Sequence, residues 1–333
     1  MITFTKVLGL NAAVCLLVCS LLSFASMEER AFTSTPQESS RAQSQKRQKK
    51  QRTTSRGSEP RPVGSSENLG FVDTHLHLND VAMARELMAE GGIERAIVFW
   101  GRDSTNASLS EAAALYPEQF IPFYSVSPER EAYRRAWEAN DLSILDEVDE
   151  ALASNKFHGI GELSVTHFPS RGFPESSYGP LHPISQGLFE LAEKHGVPIS
   201  LHCEITHLDA LSKALESFPE VTVIWAHGGY TPYFLAKRML EAHSNLIYEL
   251  SARTWRHHPR SPEYTIYADD QNVWPQWLEL IEAHPHRFLV GTDAGLHSLD
   301  LSRDQVGGVQ RLLEQLSEET RRMIARENIA NLL

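Results

Sequence analysis

The chain has 333 residues, 41% of them hydrophobic and 22% charged, with a formal net charge of −12. This is ordinary globular composition, and the length permits one α/β barrel of roughly 250 residues plus extensions. Residues 67–333 carry 21 Lys/Arg against 39 Asp/Glu, a surface that disfavours nucleic acid and anionic lipid, whose phosphates need clustered cations.

Residues 7–25 form an apolar run after Lys6, closed by Ser23-Phe24-Ala25. A charged start, a short apolar stretch and a small-residue end predict a secretory signal peptide over 1–26. An uncleaved amino-terminal anchor is the alternative, because the run approaches the ~20 residues that span a bilayer. Lipid attachment at Cys19 is disfavoured by the bulk of Val18. Export implies a periplasmic or extracellular location. Residues 27–66 are rich in Ser, Gln, Arg and Lys; eight Lys/Arg between 41 and 61 face one acid, Glu59. With so few large aliphatics the segment cannot offset its chain entropy, so it reads as a disordered basic linker. Removing the leader takes away Cys15 and Cys19, leaving Cys203 and no intramolecular disulfide.

From residue 67 onward β-branched apolar runs alternate with amphipathic ones. The expected strands are 70–78, 95–101, 120–127, 157–165, 198–204, 221–229, 245–253 and 287–294. The expected helices are 81–90, 105–116, 141–155, 184–195, 208–217, 232–242, 273–284 and 302–315. Eight such units predict a closed (β/α)₈ barrel over 67–333 as a single catalytic domain. The long connections 166–183 and 254–272 follow strands, which puts them on the carboxy-terminal face where barrel sites lie.

Polar residues stand at the ends of these strands. His75 and His77, two apart on the first strand, point to the same side. Glu162 ends the fourth, His202 the fifth, His227 the sixth and Asp293 the eighth. Each alone has an ordinary reading: an incidental His pair, a buried ion-pair partner, a strand cap, a helix cap. Six together, each at the same end of the barrel, point to a divalent metal, since imidazole and carboxylate are the ligands such ions prefer. Cys203 follows His202, so alternation turns it into the barrel–helix layer as core. Arg253 and Arg256 are candidates to hold a substrate anion, with an ion pair to a surface acid as the alternative. Trp100 and Trp255 are candidates for an apolar substrate wall.

The run Asp73-Thr74-His75-Leu76-His77 resembles the opening metal motif of the amidohydrolase superfamily. Gly159-Ile160-Gly161-Glu162 is similar to the fourth-strand glutamate motif of TatD-type hydrolases. Ala226-His227-Gly228-Gly229 and Gly291-Thr292-Asp293 resemble the sixth- and eighth-strand motifs of the amidohydrolase-2 group, as does the ending from Glu327 to Leu333, a last helix that closes the barrel. The resemblance implies that His75, His77 and Asp293 hold one ion, that His202 and His227 hold a second, and that Glu162 bridges them; one-metal members usually leave His227 off the ion. Zinc is the first expectation, with manganese as another choice. The implied chemistry is hydrolysis of a small ester, lactone, amide or phosphoester by activated water, with Asp293 as general base and then acid. A metal-dependent decarboxylase or lyase and a TatD-like nuclease are the alternatives. The partner is a small molecule; a homo-oligomer is compatible.

Overall fold

The computed structural model describes residues 69–169 and 175–333. The expected leader and linker lie outside the described residues, as does the middle of the first long connection.

Eight parallel strands form the centre. They are β1 (Phe71–Leu78), β2 (Ile93–Trp100), β3 (Phe120–Pro122), β4 (Ile160–His167), β6 (Ile199–Cys203), β7 (Val223–Trp225), β8 (Leu246–Glu249) and β9 (Phe288–Leu289). The short β5 (Ser176–Ser177) lies antiparallel on the end of β4. Hydrogen bonding gives one run β1-β2-β3 and another β4-β6-β7-β8-β9. Parallel bridges from Tyr124 to Ile160 and from Leu76 to Ala294 join the two runs at both seams. The second seam is reinforced by Thr74 N to Val290 O at 3.0 Å and Asp293 N to His75 O at 2.8 Å. The strands thus close into the expected (β/α)₈ barrel.

The enclosing helices are α1 (Val81–Gly91), α2 (Asn106–Leu115), α4 (Ile144–Ala153), α5 (Pro183–His195), α6 (Leu208–Ser217), α7 (Tyr233–Ala242), α8 (Pro275–Ala283) and α9 (Leu299–Gln315). All eight were expected within a few residues. Their starts follow local chemistry: Asp80 accepts from Met83 N at 2.8 Å, and Thr105 and Ser108 form a reciprocal capping box. An additional helix, α3 (Glu131–Ala139), lies where the sequence reading placed connection. Trp137 is its one buried residue, with Tyr133 packed partly against the core; its apolar stripe is short and stands among Glu131, Arg134, Arg135 and Glu138.

Side chains divide into two layers. Leu76, Val98, Leu163, Leu201, Cys203, Trp225 and Tyr248 pack outward against the helices. Val72, Ile97, Phe99, Ile121, Phe123, Ile224, Ile247 and Leu289 fill the interior, with Ile329 of the closing helix α11 (Asn328–Ala330) and Leu332 packed against them. Cys203 is fully buried, and burial pushes its thiol up to about 12, as its core assignment requires.

Strict alternation would not deliver both layers and the site. In β1, Val72 faces inward and so do His75 and His77, an odd step from 72 to 75. A register irregularity between Asp73 and Leu76 supplies the extra residue. The same device recurs in β4, where the pairing shifts between Ile160 and Leu163, on either side of Glu162. Such bulges re-aim side chains beside functional sites.

Candidate metal centre

The interior above Phe99 and Phe123 changes from apolar to polar, and all six expected ligands meet there. Asp73 straps the seam: its carboxylate accepts from His75 N at 3.0 Å, Thr292 N at 2.9 Å and Thr292 Oγ1 at 2.6 Å. This fixes β1 against the turn that carries Asp293. Burial raises the Asp73 carboxyl to about 7 despite these bonds. His227 and Asp293 both sit at positive φ, 56° and 57°. Non-glycine residues held there cost about 1–3 kcal/mol, a strain that clusters at functional sites.

Glu162 stands at the centre, and its two oxygens face different partners. Oε2 lies 3.4 Å from His75 Nε2 and 3.7 Å from His77 Nε2. Oε1 lies 2.9 Å from His202 Nδ1 and 3.4 Å from His227 Nε2. Asp293 Oδ1 completes the first group, 3.1 Å from His77 Nε2 and 3.8 Å from His75 Nε2. Ligands about 2.1 Å from a tetrahedral ion stand about 3.4 Å apart, so the four longer spacings, 3.4 to 3.8 Å, match a cation's donor set, while those at 2.9 and 3.1 Å are hydrogen-bond distances.

Proton counting makes the same point. His77 Nδ1 faces the Trp100 carbonyl at 2.7 Å, and His227 Nδ1 faces the Ser251 carbonyl at 3.1 Å. A carbonyl only accepts, so both rings carry their proton on Nδ1 and turn the Nε2 lone pair toward Asp293 or Glu162. His75 repeats the pattern, with Nδ1 3.3 Å from Glu249 Oε2, and neither ring nitrogen makes a hydrogen bond of good geometry. In His202 the outer nitrogen is Nε2, 3.2 Å from Glu204 Oε1. Two imidazoles therefore aim inner lone pairs at carboxylate oxygens, and His75 and His202 each stand between two carboxylates; both arrangements demand a proton or a cation. Burial opposes charging His75, His77 and His202, yet Glu162, Glu249, Glu204 and Asp293 outweigh it. His75 is held well above the ordinary imidazole range, His77 is raised, and His202 is raised to about 10. The same histidines overcome burial at Glu162 and Asp293 and keep both carboxyls well below the usual range. The residues present fit a divalent cation.

The residues expected to contact substrate have other partners. Arg253 is buried, donates from Nη2 to Thr231 O at 2.9 Å and lies over the Trp277 ring of α8 at 5.1 Å. The chain leaves β8 through Ala252 at φ 54°, and Arg253 meets the scaffold there. Arg256 pairs with Asp304 of α9, the ion pair held open as the alternative. Both arginines thus have structural partners, while Arg253 Nε and Nη1 are buried without a hydrogen-bond partner. Trp255 remains at the rim: its Nε1 donates to Thr292 O at 2.8 Å, next to Asp293, and its ring stacks on His258 at 5.3 Å. Trp100 contributes its carbonyl to His77, while its ring packs on Tyr133 and beneath Arg130.

The sequence reading passed over Glu249, Ser251, His167 and Arg260, and left Glu204 and Tyr230 without roles. Glu249 Oε1 accepts from Ser251 N at 2.6 Å, and its Oε2 accepts from the Ser251 hydroxyl while facing His75. Gly291 beside it leaves the necessary room, because a Cβ there would sit 2.4 Å from Glu249 Oε1 and 2.9 Å from His75 Cβ. The signal was available for Glu249 and Glu204, acids at the ends of otherwise apolar runs; what each touches was not. Tyr230 stacks on His227 at 5.2 Å and on Tyr264 of the long loop at 4.4 Å, roofing the site.

Comparison with known proteins bears on the family and the fold. The profile described as Amidohydrolase matches residues 72–333. A search of curated proteins by sequence finds no match. Among solved structures, an uncharacterized TIM-barrel protein from Bordetella bronchiseptica is similar at TM-score 0.55 and 16% identity, covering 79% of this chain and 98% of its own. A probable 2-pyrone-4,6-dicarboxylic acid hydrolase from Acinetobacter baumannii, with citric acid bound, gives 0.51 and 13%, covering 79% and 99%. A dihydroxybenzoic acid decarboxylase from Polaromonas sp., with bound manganese and the inhibitor 2-nitroresorcinol, gives 0.50 and 15%, covering 80% and 97%. At these identities the likenesses show the barrel fold. With the profile covering most of its length, the chain belongs to the amidohydrolase family, whose members are metal-dependent enzymes.

Proposed function

We propose that this protein is a hydrolase of a small ester, lactone, amide or phosphoester that uses two divalent cations, zinc first among them. The observation that carries this reading is the split of Glu162: one oxygen faces His75 and His77, the other His202 and His227. A carboxylate so divided would be able to hold two cations, with His75, His77 and Asp293 as the further donors of one and His202 and His227 of the other.

A divalent cation supplies Lewis acidity here, lowering the pKa of water and offsetting negative charge on a substrate oxygen. Asp293 moves the proton. Its side chain is 13% exposed, the most open of the carboxylates in the group, and it is held ionised by His77 and its neighbours. It takes the proton from water and returns it to the leaving group. Trp255, Tyr230 and Tyr264 supply an aromatic wall for an apolar substrate part. We further propose, from the leader, that the enzyme is exported; fractionation of cells would test this.

The second reading is a metal-dependent decarboxylase, favoured by the manganese-bound decarboxylase among the fold neighbours. One experiment separates the two. The metal-stripped protein is reloaded with zinc or manganese, its stoichiometry measured, and panels of lactones, esters, amides, phosphoesters and aromatic carboxylic acids are assayed. Two ions per chain with hydrolytic turnover support the proposal. One ion with carbon dioxide release from an aromatic acid overturns it, and retention of no ion overturns both readings.

A further inference from the structure

Each inward-facing imidazole has an acceptor behind it, on a barrel strand or just past its end: Trp100 O, Ser251 O, Glu249 and Glu204. The fourth differs. Glu204 lies just past β6, fully buried, and its Oε1 takes both the His202 Nε2 proton at 3.2 Å and Arg260 Nη1 at 3.1 Å. Arg260 belongs to the long connection after β8, and its Nη2 donates to His167 Nε2 at the end of β4, 2.7 Å away. A single loop residue thus spans the ends of β4 and β6. The same loop lays Tyr264 and His258 on Tyr230, and Tyr230 on His227. Both imidazoles of the second cation position are backed, directly or through one neighbour, by this loop.

We propose that Glu204 and Arg260 are positioning residues for the second cation, so that the order of the 254–272 loop and occupancy of that position are coupled. This rests on the two-cation reading above. Glu204 sets the His202 tautomer that aims the Nδ1 lone pair beside Glu162 Oε1. Arg260 holds the Glu204 carboxylate, and it does so only while the loop lies across the barrel mouth. Outer partners of a ligating histidine typically contribute 10–100-fold in metal affinity. Thermodynamic reciprocity then requires the second cation to order the loop by the same factor. The histidines of the first position are backed by Trp100 O and Glu249, not by Arg260.

The test uses cobalt(II) as probe, added to metal-stripped full-length protein and followed by visible absorption, with hydrogen exchange of loop amides in parallel. Wild type takes up two ions, and the second slows exchange within 254–272. Glu204→Gln and Arg260→Ala weaken the second binding step by about 10–100-fold, leave the first step unchanged, and remove the exchange response. Arg260→Lys, which keeps a cation near Glu204, restores part of both. Equal second-step affinity in wild type and Glu204→Gln overturns the inference and leaves the two-cation reading intact. Equal loss of both steps overturns it too, since that is the mark of general damage. A wild-type stoichiometry of one overturns the bridged reading itself, and the inference with it.

Discussion

The two ends of the barrel are built from the same strands and differ in what the inward positions hold. Toward the amino-terminal end, Val72, Ile97, Ile121, Ile224, Ile247 and Leu289 meet Ile329 in a dry plug. Toward the carboxy-terminal end the inward positions become His75, His77, Glu162, His202 and Glu249, buried and nearly all ionisable. The plug gains from every methylene withdrawn from water. The other end confines several carboxylates where isolated charges are costly, and the excess of negative charge is relieved only by protons or a cation. Stability is concentrated at one end and demand for a ligand at the other.

Removing both His75 and His77 is expected to have the largest effect: loss of the first cation and of all turnover, read by elemental analysis and assay. A variant that keeps the full wild-type complement of metal would separate the two histidines from the site. Asp293→Asn comes next. Asparagine keeps the shape and one oxygen but cannot take a proton, so turnover should fall about 10²–10⁴-fold while the fold and much of the metal remain. A metal-loaded Asp293→Asn enzyme with wild-type kcat would move the proton transfer to another residue.

The plug is tested by Phe123→Ala, which should cost about 3–5 kcal/mol of stability in denaturant titration. Metal stoichiometry should survive in the folded fraction, and loss of metal without loss of stability would break the contrast between the ends. A pH series sharpens the same contrast. The folded His202 pKa is raised to about 10, above its unfolded value near 6.5. Its contribution to the metal-free protein is therefore fully present below about pH 6.5 and lost as pH rises toward 10. The melting temperature of metal-free protein should fall across that window, and cation loading, which takes the place of the proton, should flatten the fall. The smallest effect is expected from deleting residues 1–65: a chain starting at Ser66 should fold and keep turnover, measured by melting temperature and assay.

The helices were legible because each needs an apolar stripe at helical spacing, and α6 was expected at the same residues that it occupies, 208–217. The exception, α3, carries a short stripe of Ala132, Tyr133, Ala136 and Trp137 among charged residues. The six candidate ligands were legible because polar groups at strand ends have little structural use there. For Arg253 and Arg256 the sequence left two readings open because a long side chain after a strand reaches several places, and the turn at Ala252 chooses among them.

What the sequence determined by itself was the period of its apolar residues, hence eight strand–helix units, and the chemical kinds of residue at their carboxy-terminal ends. What only the tertiary structure decided was where those groups point and what stands behind them. The shifts in β1 and β4 that turn His75 and Glu162 inward depend on pairing with β2 and β6. The acceptors Trp100 O, Glu249, Ser251 O and Glu204 lie 2 to 174 residues from the histidines they orient. Periodicity is a local property that a single strand carries alone. A hydrogen-bond partner across the barrel exists only once the ring of strands has closed.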